Sequence, residues 1–130
     1  MSDSQRWIDL ATEDEMMAEL TLKAKLYNQV CFHSQQAAEK LFKAFLLEKK
    51  GKFPKIHSLT ELLVLASGVD KDLMRLKNDC LYLDQFYVPT RYPDAPLGNL
   101  PEGQPNKEDA KKATEILTKI MKLITGKLPK

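Results

Sequence analysis

The segment from Tyr27 to Lys50 constrains the fold more than any other part of the sequence, because its apolar residues recur at helical spacing. The residues that share one arc of this helix are Val30, Ala37, Ala38, Leu41 and Phe45. Gly51 and then Pro54 follow, and these two residue types commonly end helices. A long helix with an apolar arc needs other elements to cover that arc, so the segment is predicted to be the central helix of a domain.

Four further segments have the same periodicity and are predicted to be helices around it. Their N-terminal caps are expected at Ser2 (with Gln5 completing a capping box), Ser58, Asp70 and Asn106. Their predicted buried residues are, in chain order, Ile8, Ala11, Ala18, Leu22 and Leu26; Leu59, Leu62, Leu63 and Ala66; Leu73, Leu76, Cys80 and Leu83; and Ala110, Ala113, Leu117, Ile120 and Ile124. The helix that begins after Asp70 is expected to reach about Phe86. No segment has the pattern of a strand ladder, so we predict an all-α fold of four to five helices.

The segment 88–106 is predicted to be a long loop before the last helix. It holds Pro89, Pro93, Pro96, Pro101 and Pro105, with Gly98 and Gly103 between them. Neither a helix nor a central strand tolerates this density of proline. Long loops inside a compact domain are often functional, so this one is a candidate binding segment.

Length and composition exclude several classes of protein. A chain of 130 residues is expected to form one domain over 1–130, and 43% hydrophobic with 29% charged residues is typical of a folded globular protein. The formal net charge of +2 is far below that of a dedicated nucleic-acid binder.

The sequence has neither the basic and apolar regions of a secretory signal nor a stretch long enough to span a membrane. Cys31 and Cys80 lie in apolar helical patterns, which favours reduced, buried thiols in a cytoplasmic protein.

A polar stripe on the central helix is the first candidate site. The spacing of Gln29, Gln36, Lys40 and Lys43 puts them on one line roughly opposite the apolar arc. Two ammonium groups and an amide would suit a phosphate or a nucleobase. The alternative is a solvated face, with Glu39 and Lys43 as an ordinary exposed ion pair. The acidic run Glu13, Asp14 and Glu15 on the first helix is interpreted in the same way, as an outer face without a site.

The long loop and the residue before it supply the second candidate set. Tyr87, Arg91, Tyr92 and Asp94 combine aromatic faces with one fixed cation and one acid, which suits stacking on a base or clamping a phosphate. The competing interpretation is structural. Arg91 would then bind carbonyl groups at a helix end, and the tyrosines would hold the loop against the helices.

Other site classes find no support in the sequence. His33 and His57 have no carboxylate or thiolate at ligand spacing, so no metal is predicted, and His57 is expected to pack under its loop. No serine or cysteine lies in a nucleophile elbow, and the glycines form no phosphate-binding loop. We therefore predict neither a metal nor a cofactor.

Several motifs follow one another along the chain within a span from about Trp7 to Ile124. They are Gln35 to Lys40 (QQAAEK), Lys43 with Ala44, His57 with Leu59, and Arg91 to Asp94 (RYPD). This order of motifs resembles that of a HEPN domain (higher eukaryotes and prokaryotes nucleotide-binding). The resemblance implies an up-and-down helical bundle, usually dimeric. It also implies a role for the second helix and the long loop in binding a nucleotide or RNA, or a small nucleotidyltransferase partner.

The ribonuclease motif of that family, an arginine followed by a histidine after four to six residues, is missing. The chain has three arginines, Arg6, Arg75 and Arg91, and no histidine follows any of them at that spacing. RNA cleavage without a metal then lacks its usual acid–base group, so we predict that the protein is not an enzyme.

The predicted function is non-catalytic binding of a nucleotide or of a nucleotidyltransferase partner, with a homodimer expected. The predicted binding residues are Gln36, Lys40, Lys43, His57, Tyr87, Arg91, Tyr92 and Asp94. Two alternatives remain open, namely one half of a toxin–antitoxin-like pair, which would be a protein–protein module, and an atypical ribonuclease.

Overall fold

A computed structural model describes residues 2–87 and 104–129. Within these two ranges the structure is all helical and contains no strand. The elements are α1 (Asp3–Lys23), α2 (Tyr27–Lys50), α3 (Leu59–Ser67), a 3₁₀ helix (Lys71–Leu76), α4 (Lys77–Asp84) and α5 (Lys107–Thr125). The predicted all-α bundle is thus confirmed. The bounds of the central helix are those expected from its periodicity.

The ends of the helices follow local hydrogen-bonding rules. The Oγ of Ser2 accepts from the Gln5 amide at 3.1 Å, and the Oγ of Ser58 accepts from the Glu61 amide at 3.3 Å. Asn106 and Asp109 form a reciprocal capping box at the start of α5. Gly51 ends α2 in the left-handed region with a φ of 76°, as its position after the last periodic residue indicates.

Helix α2 is the centre of the core, and α1, α3, α4 and α5 all pack against it. Of the predicted core residues, all those assigned to α2, α3, α5 and the 3₁₀–α4 segment are buried. The four-residue and three-residue steps therefore identified the buried side of these helices, whereas Ile8 and Leu22, predicted to be buried on α1, are only partly buried. No helix in the described ranges is both long and apolar enough to cross a membrane.

The turn between α1 and α2 differs from the prediction. Helix α1 ends at Lys23, and Leu26, assigned to its buried face, lies beyond it with half of its surface exposed. The Leu26 amide donates to the Thr21 carbonyl at 2.9 Å and the Lys25 amide to the Leu22 carbonyl at 3.1 Å, which is a Schellman motif. Its left-handed position is held by Lys25, with a φ of 62°, so the glycine that usually marks such an ending is missing.

Two smaller expectations were also wrong. The amide of the Gln5 side chain donates to Asp9 at 3.0 Å, so the capping box at Ser2 is only half formed. The helix expected from Asp70 to about Phe86 is divided into the 3₁₀ helix and α4, although Asp70 does cap it by accepting from the Asp72 amide at 3.0 Å. Leu73 and Leu76 are three residues apart, a spacing that buries both in a 3₁₀ helix as well as in an α-helix. Periodicity therefore cannot distinguish the two helix types here.

Both cysteines are free and fully buried, as expected. Burial raises the pKa of the Cys80 thiol to about 12, and that of Cys31 is raised further by the same cause. Neither thiol is therefore a nucleophile at neutral pH.

Candidate functional site

A buried carboxylate on α2, that of Glu39, organises the first group of polar side chains. Its Oε2 accepts from the Lys43 Nζ at 2.8 Å and lies 3.1 Å from the His57 Nδ1. The Glu39 and Lys43 side chains are only 5% and 7% exposed. The expectation of an ordinary exposed ion pair was therefore wrong, because α2 is covered on this side as well.

Two aromatic rings surround the Lys43 ammonium. Its Nζ lies 5.7 Å from the centroid of the Trp7 ring and 5.6 Å from that of Phe53, and these two rings meet edge to face at 5.2 Å. Cation–π attraction and the Glu39 carboxylate together satisfy this buried charge. Lys43 is thus a structural cation, and the prediction that it lies on an open polar stripe was wrong.

The His57 ring is the exposed member of the group. Its side chain is 55% exposed, and its ring stacks on Tyr87 with centroids 5.0 Å apart and planes 14° apart. The expectation that His57 packs under its loop was therefore wrong. A carboxylate only accepts hydrogen bonds, so Glu39 makes Nδ1 the donor and leaves Nε2 as the acceptor of the neutral ring. We call the two stacked rings the His57–Tyr87 shelf.

The backbone beside His57 is fixed by Asp84 at the end of α4. The Asp84 carboxylate accepts from the amides of Leu59 and Thr60 at 2.6 and 3.1 Å, and also from the hydroxyls of Ser58 and Thr60 at 3.2 and 3.1 Å. An anion at the N-terminus of α3 satisfies free amides and interacts favourably with the helix dipole. Asp84 and Tyr87 lie three residues apart, so one short segment positions both rings of the shelf.

A glutamine pair links α2 to the same point. The fully buried Gln35 donates through Nε2 to the His57 carbonyl at 3.2 Å, and its Oε1 accepts from the Gln36 Nε2 at 2.7 Å. Gln36, which was predicted to bind ligand directly, is half-buried and reaches the shelf through Gln35. The sequence analysis did not identify Gln35 and Glu39 as residues that position the site. Both lie in the QQAAEK run, which was the sequence signal that could have indicated them.

Asp14 on α1 organises a second polar group farther toward the start of α2. Its Oδ1 lies 2.9 Å from the His33 Nδ1, and its Oδ2 accepts from the Lys40 Nζ. Burial acts to raise the Asp14 pKa, but the hydrogen bonds from His33 and Lys40 outweigh it, and the pKa lies below its ordinary value. The acidic run was expected to be a solvated outer face, and for Asp14 that expectation was wrong because this residue faces α2.

The structure thus divides the predicted site residues among different places. His57 and Tyr87 form the shelf, Gln36 adjoins it, Lys43 lies beneath it and Lys40 belongs to the Asp14 group. Arg91, Tyr92 and Asp94 lie outside the described residues. Across 2–87 and 104–129, no three His, Cys, Asp or Glu side chains are placed to hold a metal ion.

Comparison with known proteins places the chain among helical relatives along almost its whole length. The model of the HEPN domain family matches residues 4–127. The crystal structure of TT1696 from Thermus thermophilus is 32% identical, with a TM-score of 0.82 over 98% of this chain and 100% of that chain.

Two further solved structures are similar. ST0689, described as an archaeal HEPN homologue, is 28% identical, with a TM-score of 0.75 over 98% of each chain. A HEPN domain protein from Thermotoga maritima, TM0613, is 26% identical, with a TM-score of 0.72 over 93% of this chain and 95% of that one. No curated protein matches the sequence.

Proposed function

This chain belongs to the HEPN domain family, and from that premise we propose that it binds a nucleotide on the His57–Tyr87 shelf without converting it. The observation that carries the proposal is the His57 imidazole, which is more than half exposed although its ring makes two contacts and its backbone a third. Glu39 fixes Nδ1, Gln35 fixes the backbone carbonyl and Tyr87 covers one face of the ring. A ring fixed in this way loses little entropy when a ligand stacks on it.

The chemistry of the shelf suits a nucleobase. Stacking on an aromatic side chain needs only a planar ring, and the Nε2 of the neutral imidazole can accept a hydrogen bond from an amino group of the base. Among the predicted cations that the structure describes, Lys40 keeps about one quarter of its side chain in solvent, whereas Lys43 is buried. Lys40 would contribute modestly to phosphate binding, because Asp14 already neutralises it.

Calorimetric titration with ATP, GTP, CTP and UTP tests this proposal on the wild type and on His57→Ala and Tyr87→Ala variants. Stacking on one side chain is worth about 1–3 kcal/mol per base, so we expect each variant to bind at least about fivefold more weakly. His33→Ala is the matched control, since a carboxylate also holds His33 but no tyrosine within 2–87 or 104–129 stacks on it. Equal affinity in all four proteins, or no binding by the wild type, contradicts the proposal.

Recovery of the nucleotide and of added RNA after incubation tests the absence of catalysis. We expect both to remain intact under conditions in which a control nuclease cuts the RNA. Cleavage that disappears in His57→Ala would instead assign an atypical ribonuclease activity to the shelf.

The outer face of α1 supports a second function, contact with another protein. Leu10, Met16, Met17 and Leu20 each expose about half of their surface along this face. Large apolar side chains at neighbouring positions are unusual on a monomer and are typical of an interface. We propose that a second copy of the chain covers them.

The charges on this face favour pairing of two copies. Glu13 and Lys23 are exposed at the two ends of the segment that carries Met16 and Leu20. If two copies of α1 pair antiparallel about the level of residue 18, Glu13 of each copy lies beside Lys23 of the other. Met16 then faces Leu20, so apolar contact and charge agree in the same arrangement.

Light scattering after size-exclusion chromatography tests this interface. We expect the wild type to be a dimer and Leu20→Glu to be a monomer, because four carboxylates, two from Glu13 and two from the new residue, would then lie at one interface. Leu81→Glu on α4 is the control, since Leu81 is about equally exposed and should leave the dimer intact. A monomeric wild type that purifies from its host with a stoichiometric second protein would assign the face to a different partner, such as a nucleotidyltransferase or the other half of a toxin–antitoxin-like pair.

A further inference from the structure

A cavity lies at the corner where α2 ends and the chain turns toward α3. Its volume is about 300 Å³, at the lower end of the range for small-molecule sites. Leu46, Phe53, Pro54 and Leu65 line it with apolar surface, and Lys50 and Lys52 complete the lining. None of these six residues belongs to the His57–Tyr87 shelf.

The turn at Gly51 builds this corner. Gly51 adopts the left-handed conformation, which ends α2 and places Lys50 and Lys52 on either side of the turn. Phe53 then packs against the core and its ring lies perpendicular to that of Trp7, so one wall is held in place. The floor includes Leu46, which is buried, and Leu65, which keeps more than a third of its surface exposed.

The segment that forms the corner is rich in lysine. Between residues 49 and 60 the sequence holds four lysines, Lys49, Lys50, Lys52 and Lys55, and no acid. Neither Lys50 nor Lys52 forms an ion pair with any residue in the part of the chain that the structure describes. Unpaired ammonium groups beside apolar surface attract an anion whose other end is apolar.

We propose that this cavity binds a small anionic amphiphile, with its aliphatic chain against Leu46, Pro54 and Leu65 and its carboxylate beside Lys50 and Lys52. The floor is aliphatic, and the Phe53 ring is already engaged by Trp7 and by the Lys43 ammonium. The site thus offers little stacking surface or hydrogen bonding for a nucleobase. A short acyl chain needs neither, and its burial follows the apolar area removed from water.

Trp7 reports on the cavity, because it is the only tryptophan and touches the Phe53 wall. Its fluorescence is followed while the full-length protein is titrated with decanoate below the micelle concentration. Decyltrimethylammonium, with the same chain and the opposite charge, is titrated in parallel. We expect saturable binding of decanoate and at least tenfold weaker binding of the cation.

Three variants separate the parts of the proposal. Lys50→Glu/Lys52→Glu should weaken decanoate at least tenfold, whereas Lys71→Glu/Lys77→Glu, which changes the same charge at two exposed lysines elsewhere, should leave it within twofold. Leu65→Phe narrows the cavity without changing charge, leaves Trp7 as the only tryptophan and should also weaken binding. The His57→Ala variant should bind decanoate normally, so this proposal and that of nucleotide binding can fail separately.

Several outcomes would overturn the proposal. One is equal binding of the two amphiphiles, which would indicate adsorption to exposed apolar surface. Another is decanoate binding that persists unchanged in Lys50→Glu/Lys52→Glu and in Leu65→Phe. Binding to phosphatidylglycerol vesicles with no response to monomeric decanoate would assign the lysines to a lipid surface instead.

Discussion

The Lys43→Ala variant is expected to lose about 3–5 kcal/mol of unfolding free energy, the usual cost of removing one partner from a buried ion pair. The substitution leaves the Glu39 carboxylate at 5% exposure with only His57 beside its Oε2. Its Oε1 has no hydrogen-bond partner in the described ranges, so it cannot compensate. Urea denaturation followed by circular dichroism measures the loss as a lower midpoint at constant m value.

Two further variants show whether the loss of stability in Lys43→Ala arises from the unpaired Glu39 charge. Lys50→Ala removes an exposed lysine from the same helix and should change stability by less than about 0.5 kcal/mol. Glu39→Gln/Lys43→Met removes both charges and should recover much of the loss, because the stranded carboxylate is gone. A Lys43→Ala midpoint close to that of the wild type would show that water or a rearranged His57 satisfies Glu39 without the lysine.

The Asp14→Asn variant is expected to lose stability in a pH-dependent way. The wild-type carboxylate has a pKa below the ordinary value of 3.8, because the hydrogen bonds from His33 and Lys40 outweigh the opposing effect of burial. Near pH 3.8 and below, the unfolded chain therefore binds more protons at this residue than the folded chain does. The stabilisation by Asp14 is fully present above the unfolded pKa, from about pH 5 upward, and is lost as the pH falls through the folded pKa.

Urea midpoints at pH 7, 4.5, 3.5 and 2.5 measure this effect. At pH 7 the asparagine variant should be about 1.5–3 kcal/mol less stable than the wild type, in the range of hydrogen bonds to a charged group. The difference should narrow as the pH falls through the folded pKa of Asp14, where its carboxyl becomes protonated. Glu115→Gln, an exposed carboxylate on α5, should stay parallel to the wild type at every pH. A gap for Asp14→Asn that is the same at all four pH values would mean that shape, and not charge, accounts for the loss.

Both histidines of the chain are held in the same manner, by a carboxylate that also accepts from a lysine on α2. They differ in what surrounds the ring. His33 is mostly covered, whereas His57 is more than half exposed and stacked on Tyr87. This contrast makes His57 the better candidate for ligand binding and His33 its control.

The helices and the family could be predicted from the sequence because both depend on information that is local or that recurs along the chain. Apolar residues at steps of three and four mark the buried side of a helix wherever it packs, which is why the α2 arc from Val30 to Phe45 was correct. The QQAAEK run and its ordered companions indicated the HEPN family, and the family match over residues 4–127 confirmed it.

The partners of the polar side chains were decided only by the tertiary structure. Spacing showed that Lys40 and Lys43 share a side of α2, but not that Asp14, 26 residues before Lys40, covers one and that Trp7 and Phe53 enclose the other. The spacing of charged residues along a helix does not show whether a side chain meets solvent or a buried counter-ion, because either one satisfies its charge. Local pattern therefore determined which helices form, and long-range packing determined which of their charged groups remain free to bind anything.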